Sequence, residues 1–257
     1  MKIFSMKSIA LLLGLCIYIL SSPIYAARDT VTFLSGDGIK ITADTYIAHE
    51  NKNTPLLVLF HQAGWSRGEY LEIAPKLNAL GFNCIAIDQR SGKSVNGIEN
   101  ETALSAKQAG KNIRYVDALP DIEAALRYAK SQYNESKIIA WGSSYSAALV
   151  LHIAGTLSEL VDGVLAFSPG EYFPKQGKSK SWIQDAAANI SAPVFITSAR
   201  DEKYNWSAIY SAIKSKQKTS FTPTSKGRHG SRALWEQFDD SEDYWKAVNA
   251  FLSNNFL

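Results

Sequence analysis

Short runs of apolar residues alternate with stretches in which apolar side chains return every three or four positions, and the alternation continues through most of the chain. Residues 31–34 and 39–46 flank Ser35, Gly36, Asp37 and Gly38, a pattern that predicts a β-hairpin. The run 56–60 predicts a buried strand, followed by a helix over about 68–80 that Gly81 stops, and then a second buried strand over 84–87. The polar stretch 89–110 reads as a solvated loop. It leads into an amphipathic helix over 116–131, whose first turns carry Asp117, Asp121 and Glu123 where negative charge suits the helix dipole. Three further strand-and-helix units follow, with strands at 138–141, 161–167 and 194–197 and helices at 145–156, 182–189 and about 204–213. An extended run near 219–222 and a helix over 241–252 close the chain. Strands that alternate with crossover helices give an α/β fold: a mostly parallel sheet with helices on both faces and the opening hairpin as an antiparallel edge. With no repeats, low-complexity tracts or linkers, residues 27–257 read as a single domain.

The first 26 residues do not fit that pattern. Lys2 and Lys7 precede an apolar run over 9–20, which Ser21, Ser22, Pro23 and the Ala26-Ala27 pair follow. Twelve apolar residues rise only about 18 Å as a helix, against a hydrocarbon core of roughly 30 Å. A signal peptide over 1–26, cleaved after Ala26, is the expectation, and an uncleaved N-terminal anchor is the alternative. The protein is therefore expected to be exported, periplasmic or secreted, with no stable membrane span after cleavage. Composition changes accordingly. The precursor holds 27 basic and 24 acidic residues; without Lys2 and Lys7 the balance is 25 to 24, which offers no basic surface for nucleic acid. Cys16 leaves with the signal, so Cys84 stands alone inside an apolar run and reads as a buried thiol. No Cys/His spacing suggests a metal. Oligomeric state is not legible from the pattern.

In parallel sheets functional groups gather at the carboxyl ends of the strands. After the strand at 138–141 stands Gly142-Ser143-Ser144-Tyr145-Ser146, a Gly-x-Ser-x-small sequence at a strand-to-helix junction. Such a turn needs small residues two before and two after its apex, and Gly142 and Ser146 satisfy that for Ser144. Taking Ser143 as the apex would crowd it with Trp141 and Tyr145. A serine nucleophile needs a base. Of the four histidines, His49 lies in a loop before the third strand, His152 lies mid-helix among apolar neighbours, and His61 ends a strand where it would order a loop. His229, on the Gly-flanked loop after the last strand, can reach back over the sheet and is the expected base. Asp201, which follows the penultimate strand, is the expected orienting acid, with Glu202 and Glu171 as weaker alternatives. The order Ser144, Asp201, His229 is the one associated with this turn. Oxyanion donors are expected from the backbone N–H groups of Tyr145 and Ala63, with Gln62 the next choice.

These residues, with the loop His61-Gln62-Ala63-Gly64 and the turn from Asp88 to Ser94, make the chain resemble the α/β-hydrolase family, in its dienelactone-hydrolase-like and esterase branch, over residues 30–256. The resemblance implies an eight-stranded sheet, a Ser/Asp/His triad and no separate cofactor. Gln62, Ser91 and Ser146 stand where glycine is common. Asp88 and Arg90 read as structural partners, with Arg90 also able to meet an acidic substrate. Lids of this family are usually inserted after the sixth strand; residues 168–192 leave room for a crossover but not for a cap domain. The expectation is an open site with Trp65, Tyr145, Tyr172, Phe173 and Tyr204 as aromatic walls, taking a small-molecule or acyl substrate. The expected reaction is ester hydrolysis through an acyl-enzyme on Ser144. A peptidase or acyltransferase with the same triad, and a hydrolase-fold binding protein without catalysis, are the other classes.

Overall fold

Strands that are apolar at every position can be satisfied only by helices on both sides, and the chain is arranged so. The computed structural model describes residues 28–257; the expected signal segment lies outside them. In chain order the elements are β1 (Arg28–Leu34), β2 (Lys40–Tyr46), β3 (Leu56–Phe60), α1 (Ile73–Ala79), β4 (Asn83–Ile87), β5 (Ser94–Val95), β6 (Ile98–Glu99), α2 (Glu101–Gln108), α3 (Leu119–Gln132), β7 (Ile138–Ser143), α4 (Tyr145–Thr156), β8 (Gly163–Phe167), α5 (Trp182–Ala187), β9 (Val194–Thr197), α6 (Lys203–Ala212), β10 (Lys218–Phe221) and α7 (Ser241–Phe256). Eight strands form one sheet in the order β1-β2-β4-β3-β7-β8-β9-β10. β1 and β2 pair antiparallel, as do β2 and β4, and every other pairing in this sheet is parallel. This is the α/β-hydrolase architecture that the sequence implies.

The two-residue period of the strands sorts side chains between two cores. Leu56, Val58 and Phe60 face α3 and α4 together with Ile138, Ala140, Val164 and Ile196, whereas Leu57, Leu59, Ile139, Trp141, Leu165 and Phe195 face α1 and α7. Cys84 belongs to the second core and is fully buried. Helix α4 lies so close to α5 that a Cβ on Gly155 would strike the Ala186 carbonyl, so this crossing admits only glycine. Among the described residues no helix is long and apolar enough to cross a membrane.

Two expected segments differ from the structure. The helix expected over 68–80 is a 3-10 turn (Arg67–Tyr70) followed by the shorter α1. The polar stretch 89–110, expected as a loop, contains the β5–β6 hairpin and α2, which Asn100 caps through its side chain to Ala103 N–H. Polar composition concealed these elements because their stabilisation is ionic and long-range. Arg67 extends to Asp44 at 3.0 Å, Asp88 at 2.6 Å and Glu101 at 3.3 Å, joining β2, the end of β4 and α2. Arg90 grips Asp121 of α3 with two nitrogens at 2.6 and 2.9 Å and reaches Asp37 of the opening hairpin at 2.7 Å.

A buried pair that loses one partner leaves an uncompensated charge, at a cost of about 3–5 kcal/mol. Arg90→Met is therefore expected to lower the unfolding free energy measured by urea titration by about 3–5 kcal/mol, and Arg90→Met combined with Asp121→Leu to restore most of it. A single variant within about 1 kcal/mol of the parent would contradict the clamp role.

Candidate active site

The site is assembled where β7 turns into α4. Ser144 occupies the apex with φ 62° and ψ −119°, a left-handed conformation rarely taken by a side-chain-bearing residue. Three features hold it there. The Ser144 N–H donates to the Phe167 carbonyl at 2.7 Å. A Cβ on Gly142 would lie 2.5 Å from Ala147, so the turn can be this tight only with glycine. The third is Ser146, standing where a second glycine is usual. Its hydroxyl accepts the Ser143 N–H at 2.9 Å and donates to the Phe60 carbonyl at 2.7 Å, stitching the turn to the end of β3.

The strained serine meets the expected histidine. His229 Nε2 lies 2.8 Å from Ser144 Oγ, and its Nδ1 lies 2.7 Å from Glu202 Oε1. The carboxylate is thus not the expected Asp201. That side chain is 74% exposed and turns to its neighbour Arg200, 3.3 Å away. The two acids sit on one 3-10 turn (Arg200–Glu202), on which successive residues point about 120° apart. Only the second faces His229. Glu171, the other alternative, accepts the N–H groups of Ile183 and Gln184 at the start of α5.

Glu202 is further fixed by the Ser168 hydroxyl, which donates to Oε2 at 2.8 Å and accepts the Gly230 N–H at 2.9 Å. Burial pushes the Glu202 carboxyl up, but the hydrogen bond and charge of His229 and the Ser168 hydroxyl outweigh it, so its pKa falls below the usual value. Ser144 is 8% exposed and the His229 side chain 32%, so the histidine edge is open to solvent and the serine nearly covered.

The end of β3 and the loop after it are tied to the same turn through Ser146 and Glu69. His61 is an organiser of this loop: its Nδ1–H donates to the Gln62 carbonyl at 2.8 Å, and Nε2 accepts Gln89 N–H and Asn100 Nδ2–H at 3.0 Å each. Burial lowers its pKa to about 4, which keeps the ring neutral. Gln62, the second choice of donor, has its N–H committed to Glu69 Oε2 at 2.8 Å and cannot serve an incoming oxygen. The Tyr145 N–H opens α4 and has no intrahelical acceptor, as first-turn amides do not. Ala63 is half-buried at the loop's apex.

The expected aromatic walls divide. Trp65 lies at the rim, stacked on Trp235 and beneath the Arg232 guanidinium. Tyr172 is half-buried, donates its hydroxyl to the Ser168 carbonyl at 2.7 Å, and lies beside Ser144. Tyr145 and Phe173 are core residues, and Tyr204 is an exposed residue of α6. Arg90 is occupied by its two aspartates.

The Hydrolase_4 family, described as serine aminopeptidase, S33, matches residues 51–251. The chain belongs to this family of α/β-hydrolases. No curated protein matches this Hydrolase_4 chain. Among solved structures it is similar to the esterase Pf2001 of Pyrococcus furiosus, at 19% identity, with 90% of this chain and 94% of that one covered and a TM-score of 0.70. It is also similar to a dienelactone hydrolase from Anabaena variabilis (14% identity, 90% and 99% covered, TM-score 0.67). A thermostable carboxyl esterase from Bacillus coagulans aligns at 12% identity over 90% of this chain and all of its own, with a TM-score of 0.66. These likenesses establish a shared fold.

Glu69, which the sequence reading passed over, is the titratable group of this Hydrolase_4 site with the most unusual setting. It is fully buried, and desolvation raises its carboxyl from 4.5 to about 7 despite a hydrogen bond from Ser143. A raised acid pKa contributes stability below pH 4.5 that is lost as pH climbs through 7. The shift corresponds to about 3 kcal/mol. Glu69→Gln, which cannot titrate, is thus expected to gain about that much on the wild type between pH 4 and pH 8.5 in parallel urea unfolding series. A gap that stays constant with pH would refute the burial effect.

Proposed function

We propose that the protein is a serine hydrolase that cleaves carboxylic esters through an acyl-enzyme on Ser144. The observation that carries this reading is the unbroken chain Ser144 Oγ, His229, Glu202, with spacings of 2.8 and 2.7 Å, hung on a left-handed turn at the carboxyl end of β7. His229 Nε2 takes the Ser144 proton as Oγ attacks the ester carbonyl, and Glu202 holds the imidazolium that forms. The carbonyl oxygen, now negative, receives the N–H groups of Tyr145 and Ala63, and the dipole of α4 supports the charge. Collapse of the intermediate breaks the bond to the alkoxy group, which leaves with the proton from His229. Water, deprotonated by His229, then attacks the acyl carbon and releases the acid and Ser144.

The family description raises aminopeptidase chemistry as a second reading. Such an enzyme must hold a substrate ammonium group near the scissile bond, and a free carboxylate is the usual means. The two carboxyl groups bonded into this site, Glu202 and Glu69, are both committed to protein donors. That arrangement favours a neutral ester. The basic and apolar segment ahead of Ala27 supports export, so the substrate is proposed to be met outside the cytoplasm.

A fluorophosphonate probe is expected to label the wild type and not Ser144→Ala. Hydrolysis of short p-nitrophenyl esters is expected to fall by at least about a hundredfold in Glu202→Gln, because the imidazolium loses its partner, and to stay within about twofold in Asp201→Asn, whose side chain faces solvent. Equal labelling of Ser144→Ala would remove Ser144 from the mechanism, and the reverse ranking of the two acid variants would remove Glu202.

A further inference from the structure

Glu69 lies in the 3-10 turn after β3, behind the catalytic face, and its two oxygens go to two different segments of the site. Oε2 accepts the Gln62 N–H at 2.8 Å, and Oε1 accepts the Ser143 hydroxyl at 2.7 Å. Ser143 Oγ in turn accepts the Ser231 N–H at 2.9 Å, two residues beyond His229. The peptide carbonyl of Glu69 receives Trp235 Nε1–H at 3.0 Å, so the turn itself is anchored to the loop that carries His229. One carboxyl group thus touches the residue before Ala63, the residue before Ser144, and, through Ser143, the segment after His229.

This arrangement is costly for a purely structural tie. The carboxyl is fully buried with no cation hydrogen-bonded to it among the described residues; His229 and Arg232 act on it only through space. A buried carboxyl without a cationic partner costs a fold stability that an apolar residue of like volume would not. What the carboxyl supplies, and an apolar residue does not, is two acceptors at a fixed separation. Glu69 holds the peptide between His61 and Gln62 through the Gln62 N–H, and His61 Nδ1–H holds the following one, between Gln62 and Ala63, through the Gln62 carbonyl at 2.8 Å. The next N–H along the chain is that of Ala63.

We propose that Glu69 is a positioning residue of the site: by holding the Gln62 N–H and the Ser143 hydroxyl together, it aims the Ala63 N–H at the oxygen that develops charge on Ser144 attack, without itself touching substrate. The inference rests on the serine hydrolase reading above. It follows the general rule that donors must be set before the reaction, since a misplacement of about 1 Å can cost about a hundredfold in rate.

The test uses the full mature chain, p-nitrophenyl ester kinetics and fluorophosphonate labelling rates. Glu69→Gln keeps an acceptor for Gln62 and gains a donor for Ser143 Oγ, so kcat is expected to stay within about fivefold of wild type. Glu69→Leu removes both ties, and kcat is expected to fall by about thirtyfold or more with KM within about threefold, the labelling rate falling in parallel. A folded Leu variant with kcat within about twofold of wild type, or a loss carried wholly by KM, overturns the inference. If the Leu variant does not fold, Ser143→Ala decides: about a tenfold drop in kcat at constant KM supports the tie, and an unchanged kcat overturns it. A wild type that labels at Ser144 alongside variants that label equally fast defeats the Glu69 role alone, whereas a wild type that does not label defeats the hydrolase reading and this inference together.

Discussion

The left-handed turn at Ser144 is the constraint on which the rest of the site depends. A side-chain-bearing residue at φ 62° stays there only if its surroundings leave no alternative. Here β7 is pinned between β3 and β8, α4 is packed on both, and Gly142 and Ser146 supply the room and the hydrogen bonds that the turn needs. The strain places Oγ beyond the end of the sheet and aims the first amide of α4 at the same point. Two further groups are brought to that point from strands farther along the sheet: the turn after β9 supplies Glu202 and the loop after β10 supplies His229.

A half-buried and a fully buried carboxyl group flank this turn, and their environments drive them apart. Glu202 faces His229 and Ser168 and is held below the usual carboxylate range, so it is charged whenever the histidine needs a partner. Glu69 sits in the apolar layer behind the turn and is pushed up to about 7. Separation of pKa values by environment is a familiar way of giving two carboxyl groups two tasks on one fold. In this chain one is suited to stabilising an imidazolium and the other to accepting hydrogen bonds that set loop geometry.

Farther out, ion pairs replace hydrophobic contacts as the means of ordering loops. Arg67 and Arg90 each gather carboxylates from elements far apart in sequence, and together they fix the hairpin turn, α2 and the start of α3 around the carboxyl end of the sheet. Similar solved structures retain the same sheet at 12–19% identity, so the architecture tolerates wide replacement of side chains. A backbone that depends on burial pattern and a few tight turns has that tolerance.

The sequence by itself determined the sheet, the crossover helices and the serine at the turn. These follow from local rules: apolar runs must be buried on both faces, and a Gly-x-Ser-x-small junction after such a run has few other uses. The opening hairpin and the buried Cys84 were legible for the same reason. Tertiary structure decided which of two adjacent acids meets His229. Asp201 and Glu202 are equivalent in charge and position along the chain, and only the pitch of a 3-10 turn separates them. It also decided that the Gln62 N–H is occupied, that Tyr145 and Phe173 belong to the core rather than to the wall of the site, and that residues 89–110 fold around Arg67 and Asn100. Glu69 left no mark in the pattern, since its partners lie 7, 74 and 166 positions away. Local patterning records what a residue does with its neighbours along the chain, and a long-range hydrogen bond has no period to read.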